Sequence, residues 1–391
     1  MKPSISVLHL STHNEECGIA IFQQNIVDGM GEERAINNVF FDISPNKLKL
    51  LKGQDFTSAV SKLVKQLKDF DILHIQHEYS FYFDQQLLEI VRAAKTTHKK
   101  IIFTLHTPPH ALGKNMPTIQ RPGPHPRSWV QTYRSKRRRN KFILGHIEPL
   151  KLADLLVVTS NAAKQSYASF GIPMDRMVLV ELPVPNVDAS RSSTEIAKAL
   201  NKKDGDVILS TVGFIAETKG VLPAIKSLTC LPENYKLAII GGTHPSGQND
   251  QFFDEACDVI RDLKLQDRVY VTGYIDDDAA RDALVREADI ALYPYDRKYY
   301  NYVSSAALTN AIANGLPIIA YKTDTFLEAN SAVPFITFCH SANYYEIARN
   351  VKSLDRKKSV ELTEQYAETF SVQKQAARFA ELYRQLLPTK K

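Results

Sequence analysis

Five places in the chain combine residue types that do chemistry with spacings that expose them. The first is "ILHIQHEYSFY", residues 72–82, where an apolar run ends in His74, Gln76, His77 and Glu78 before three aromatics. Two histidines three apart suggest a metal, but the segment is rich in strand formers. On a strand, positions 74 and 77 point to opposite faces. The H-E-x-x-H pattern of zinc proteases also fails, because Phe81, after Ser80, stands where the second histidine is needed. His77 and Glu78 are better placed as polar groups at a strand's carboxyl end, facing a ligand. "KIIFTLHTPP" sets His106 in the same situation, ahead of two prolines that stiffen the loop.

The other three places suit phosphate. "THNEECGIA" puts Gly18 where a strand turns into a helix, so backbone amides can approach an anion. "TVGFIAETKG" has Gly213 at a strand end and then Lys219 and Gly220 entering a helix, an arrangement in which charge and unpaired amides converge on a diphosphate. "NYVSSAALTNAIANGLP" sets Ser304, Ser305 and Ala306 at a helix start, which suits a second phosphate. Further glycines at strand ends, Gly242 in "AIIGGTHPSG" and Gly273 in "VTGYI", let a nucleotide lie against the backbone. None of these follows G-x-x-x-x-G-K-[ST] or G-x-G-x-x-G, which argues against a P-loop or a standard dinucleotide site.

The elements that must carry these residues alternate along the whole chain. "ISVLHLST", "NNVFFDIS", "DILHIQHE", "KIIFTLHT" and "ADLLVVTS" are strand-like and separated by helical segments. After the Pro-containing, aperiodic "ELPVPNVDASRSS", residues 181–193, the alternation restarts with "DVILSTVG", "YKLAIIGG", "RVYVTGYI", "DIALYPYD" and "LPIIAYKT". Short strands alternating with single helices predict α/β architecture, with two doubly wound, Rossmann-like parallel sheets in series. Their carboxyl ends would face an interdomain cleft. We place the domains at 1–186 and 187–371. The last segment, 372–391, is an amphipathic helix in which Phe379, Leu382 and Leu386 share a face.

Composition narrows the class. The 391 residues are 44% hydrophobic and 24% charged, ordinary for a globular protein, and their number suits two domains. No apolar run approaches the roughly 18 residues that span a bilayer, and no signal-peptide pattern opens the sequence, so a cytoplasmic location is expected. Four scattered cysteines without C-x-x-C suggest neither a disulfide framework nor a zinc site. The net charge of +6 is concentrated in "RSKRRRNK", residues 134–141. Arg137, Arg138 and Arg139 there could meet an anionic membrane, making the protein membrane-peripheral, or an anionic polymer such as nucleic acid. An ordinary solvated helix face would look the same.

In order and spacing, "CGIAIF", "IQHEYSFY", "TLHTPP", "ADLLVVTS", "GFIAETKG", "IIGGTHP", "VTGYI", "ADIALYPY" and "SSAALTNAIANGLPIIA" together resemble glycosyltransferase family 4 over about residues 4–330. These are retaining, nucleotide-sugar-dependent enzymes of the GT-B fold. The resemblance implies that Lys219 contacts the donor diphosphate, while Gly18 and the turn from Ser304 through Ser305 and Ala306 to Leu308 close around the phosphates. It implies that Tyr274 and Ile275 lie near the nucleotide base, His106 beside the transferred sugar, and His77 and Glu78 on the acceptor side. It further implies that the last helix crosses back to the N-terminal domain. Two departures stand out. Phe214 occupies a position that is often arginine in the family, and Tyr302 and Asn310 occupy those of two glutamates eight apart. Asp296 or Glu328 could compensate.

The expectation is therefore a retaining, metal-independent hexosyltransferase with no cofactor. It would use a UDP- or GDP-sugar donor and a hydroxyl acceptor on a glycan, a lipid-linked chain or a small molecule, as in polysaccharide biosynthesis. The alternatives are a non-catalytic GT-B subunit that binds sugar or nucleotide, and a glycosyltransferase acting on nucleic acid.

Overall fold

The computed structural model describes residues 5–13, 15, 17–31, 35–121, 123, 125–243 and 250–387. The chain forms two compact units: residues 1–181 with 373–391, and residues 182–372. Each is built on a six-stranded, wholly parallel sheet.

In the first unit the strands are β1 (Ile5–Leu10), β2 (Ile36–Phe40), β3 (Ile72–His77), β4 (Lys100–Leu105), β5 (Leu155–Val158) and β6 (Met177–Leu179). Their spatial order is β2-β1-β3-β4-β5-β6. In the second they are β7 (Val207–Val212), β8 (Tyr235–Ile240), β9 (Val269–Val271), β10 (Ile290–Tyr293), β11 (Ile318–Ala320) and β12 (Ile336–Phe338), in the order β12-β11-β10-β7-β8-β9. The strand order reverses between β1 and β3 in one sheet and between β7 and β10 in the other. At such switch points, connections leave toward opposite faces and open a crevice at the carboxyl ends.

The strands read as apolar runs because helices cover both faces of each sheet. β3 and β7 are buried along their whole length. Carboxylates close the amino ends. Asp71 accepts from the Ser6 amide at 2.9 Å, Asp154 from Ile101 at 2.9 Å and Asp289 from Ile208 at 2.8 Å. The carboxyl ends are left for function.

Two boundaries differ from the sequence expectation. Residues 182–186 join the second unit, where we had placed the break at 186. The segment 181–193 is no free linker either. Val184 is buried and pairs with Ser371, and the Arg286 guanidinium donates to the carbonyls of Asp188 and Arg191. The last helix, Val372–Leu386, packs with the first unit through Phe379 and Tyr383, both fully buried against His74.

Candidate functional site

In the first unit β1 and β3 lie side by side with His9 opposite His74. His74 and Gln76, two apart, share a sheet face, and Gln23 of the helix Gly18–Met30 joins them. Side-chain chemistry fixes the direction of each bond. The Gln76 amide donates to Gln23 Oε1 and, at 3.2 Å, to His74 Nε2; its own oxygen accepts from His106 Nε2 at 2.7 Å. His106 therefore carries its proton on Nε2 and keeps a lone pair on Nδ1. His74, accepting on Nε2 from Gln76 and Thr104, donates from Nδ1 to the Tyr383 hydroxyl at 2.7 Å. Gln23 donates to His9 Nδ1 at 3.1 Å, and His9 Nε2 donates to Asn38 at 2.9 Å. The result is one connected network from Asn38 to Tyr383, with His106 at its edge. Burial pulls His9 and His106 down to about 4 and His74 well below its ordinary value, so these rings are neutral at pH 7.

The opposite face of β3 corrects one expectation. His77 has no exposed surface and packs edge-on against Tyr79 and His146, with ring centroids 5.1 and 5.7 Å away. Neither of its ring nitrogens has a hydrogen-bond partner among the described residues, and burial holds its pKa well down. Strand alternation sends position 77 into this aromatic cluster, so it does not line a ligand surface. Glu78 turns its carboxylate inward, accepting from the Tyr79 amide at 2.8 Å and the Thr107 hydroxyl at 2.6 Å. Burial raises its pKa. It ties down the loop that follows His106. Gly18 opens its helix from the surface, and Cys17 before it contributes no side-chain cap.

In the second unit Gly213 ends β7, and Lys219 and Gly220 begin the next helix. Lys219 Nζ donates to the Tyr295 hydroxyl at 2.9 Å and lies 4.5 Å from the Tyr295 ring centroid and 5.2 Å from that of Tyr300. Both tyrosines are buried. Such cation–π contacts contribute about 0.5–2 kcal/mol and fix the ammonium beside the switch point. Gly220 is required by its surroundings. Its φ is +67°, and a Cβ there would stand 1.9 Å from the Pro294 carbonyl oxygen. Gly242 is required by its neighbour, since a Cβ would come within 2.6 Å of the Tyr274 amide nitrogen.

The helix Ala306–Ala313 is capped by Ser305, whose hydroxyl accepts from the Leu308 amide at 3.2 Å. That corrects the expectation for Leu308: its amide is already used and its side chain lies in the core. The amides of exposed Ala306 and its neighbour Ala307, in the first turn, have no intrahelical acceptor. Ser304, half-buried, precedes this cap. Tyr274 is exposed and lies parallel to Phe214, with centroids 5.9 Å apart and an interplanar angle of 3°. Ile275 packs on the core.

Compensation for the missing glutamates is not visible in Asp296, whose carboxylate accepts from the Lys298 amide at 2.9 Å as a helix cap. Asn310 is buried and donates to Asp282 at 2.6 Å. Glu328 is half-buried on the helix Asp324–Ala332.

Residues 192–369 match the family described as Glycosyl transferases group 1, and residues 27–185 match Glycosyltransferase Family 4. The chain is a family 4-type glycosyltransferase.

Solved structures agree on the fold of this glycosyltransferase. Anabaena HepE in complex with UDP superposes with a TM-score of 0.67 at 13% identity, over 97% of this chain and 100% of that one. A glycosyltransferase from Rickettsia africae gives 0.65 at 15% identity over 100% of both chains. Sucrose-phosphate synthase from Thermosynechococcus elongatus gives 0.64 at 15% identity, over 98% and 99%. Both units are Rossmann-like, as in GT-B glycosyltransferases. No curated protein matches the sequence.

Sequence reasoning missed Gln76, Gln23, His9, His74 and Tyr383 as one network, and Tyr295 and Tyr300 as the cradle of Lys219. The spacing of two between His74 and Gln76 was a usable signal. The crowding of tyrosines in "YPYDRKYYNY" was another.

Proposed function

We propose that this glycosyltransferase moves a hexosyl-type sugar from a nucleoside-diphosphate donor to a hydroxyl acceptor with retention of configuration, without a metal. The observation that carries this is Lys219, held by Tyr295 and Tyr300 at the switch point of the second sheet, where an anion can meet its charge. Structures of HepE with UDP-glucose, and of an E. coli trehalose-6-phosphate protein with UDP-2-fluoro glucose, support a uridine donor by analogy of fold.

On this proposal Lys219 and the amides of Ala306 and Ala307 stabilise the negative charge that grows on the departing diphosphate. Fixed donors of this kind need no reorganisation during reaction. The exposed Tyr274 and Phe214 rings offer the base an apolar surface. Neutral His106, its Nε2 proton given to Gln76, presents Nδ1 as an acceptor for a sugar hydroxyl. We assign no protein nucleophile. The acceptor hydroxyl would attack on the face the diphosphate leaves, with a leaving phosphate oxygen taking its proton.

A second reading, a subunit that binds donor without transferring sugar, is favoured by Asn310, packed against Asp282 where a glutamate is common in the family. Incubation with UDP- and GDP-sugars, without acceptor, separates the two. We expect slow hydrolysis of one donor, lost in Lys219→Ala. Tight donor binding with no hydrolysis at any enzyme concentration would refute transfer and support the second reading.

A further inference from the structure

The helix Pro126–Phe142 has two very different sides. Thr132, Ser135 and Phe142 are buried. Arg139 belongs to that side. Its guanidinium donates to the Pro117 carbonyl at 3.2 Å and lies 5.3 Å from the Phe170 ring centroid. It is a packing residue, which removes it from the group of Arg137, Arg138 and Arg139 expected to meet an anionic partner.

The other side faces solvent. Trp129 is 63% exposed, Val130 51% and Tyr133 68%. At about 100° per residue, these three share one side with exposed Lys136, Arg137 and Lys141. No acidic residue occurs between 126 and 142. Lys141 meets Asp84 at 3.3 Å, an exposed pair. On the flank of this face Arg134 and Arg138, one turn apart, line an open surface depression of about 250 Å³ with Gln120, Gln131 and Ser135.

We propose that this face seats on the surface of an anionic phospholipid bilayer. Trp129, Val130 and Tyr133 enter the headgroup layer, Arg134 and Arg138 take a lipid phosphate in their depression, and Lys136 and Arg137 add attraction. Exposed aromatic and aliphatic side chains interleaved with cations along a helix are the composition of a helix lying in the interface plane. Single-stranded nucleic acid fits less well, because its stacking platforms line grooves, whereas these rings stand on a convex helix beside an aliphatic residue. Among the described residues no helix is long and apolar enough to cross a membrane, which fits attachment to the surface. The inference does not depend on the donor chemistry proposed above.

Trp129 is the only tryptophan, so its fluorescence reports this face alone. We expect vesicles of phosphatidylcholine mixed with phosphatidylglycerol to shift its emission to the blue and to co-sediment the full chain at low salt. Vesicles of phosphatidylcholine alone should do neither. High salt should reverse binding. R134Q/R137Q/R138Q should weaken partitioning on the order of a hundredfold, at about fivefold per cation. V130S/Y133S should reduce the blue shift, with donor hydrolysis and circular dichroism unchanged in both variants. Absence of any shift with anionic vesicles at low salt, or full binding by the triple arginine variant, would overturn the proposal. So would an equal response to RNA at the same salt concentration, which would make nucleic acid the partner.

Discussion

Acid should destabilise the first unit well before carboxylates titrate in bulk, because that unit buries histidines in their neutral form. The perturbation is a drop from pH 7 to pH 5.5. An unfolded histidine titrates near 6.5, but burial holds His9, His106 and His146 at about 4 and keeps His74 and His77 well below their ordinary value. Between about 6.5 and 4 the unfolded chain therefore takes up protons that the folded chain refuses. Stability is present above 6.5 and is lost as the pH falls. Over the chosen interval each buried ring contributes about 1.2 kcal/mol, so His9, His74, His77, His106 and His146 together remove about 6 kcal/mol. Glu78 acts in the opposite sense. Burial raises its folded pKa, so it binds its proton earlier than the unfolded chain does and offsets part of the loss.

Of the eleven histidines only His244 and His340 belong to the second unit, so the effect should be local. Against a typical domain stability of about 5–15 kcal/mol, the urea midpoint of the first unit should fall by roughly 2–3 M. Hydrogen exchange read by mass spectrometry resolves the two units. We expect protection in β1, β3 and β4 to collapse at pH 5.5 and moderate urea, with β7 and β8 still protected. His9→Gln should shrink the pH effect by about one fifth. Equal midpoints at pH 7 and 5.5, or an undiminished effect in His9→Gln, would refute this account of the histidines.

Gln76→Leu strands His106 Nε2–H and Gln23 Oε1, so it should cost about 2–4 kcal/mol and let the His106 proton exchange between ring nitrogens. Nitrogen chemical shifts of His106 would test this, since an unchanged tautomer would contradict the network. Tyr383→Phe removes only the acceptor of His74 and should cost about 1–2 kcal/mol, readable in urea melts. Gly220→Ala combines a left-handed φ with a backbone clash, so we expect the second unit to lose more than about 3 kcal/mol; a thermal midpoint near wild type would disprove the crowding. Arg139→Ala should lower stability by about 1–2 kcal/mol while Arg137→Ala stays within about 0.5, a contrast that calorimetry would detect.

Local pattern was enough for much of this protein. Apolar runs of strand length, interrupted by helical segments, required two parallel α/β sheets, because only helices on both faces bury such strands. Glycines and Lys219 at strand ends pointed to the donor site proposed in the second unit, since turn geometry and charge are properties of a few adjacent residues. What lay beyond the sequence depended on partners distant along the chain. His74 meets Tyr383 across 309 positions, and neither signals the other. Lys219 finds Tyr295 across 76, which turns a generic cation into a fixed one. His77 and Arg139 were misread for the same reason. Both are polar groups that the sequence leaves free to face outward, and only the packing of Tyr79, His146, Phe170 and Pro117 turns them in. Sheet order, too, follows from which helices cover which face, and it is that order which sets the switch points beside β1 and β7.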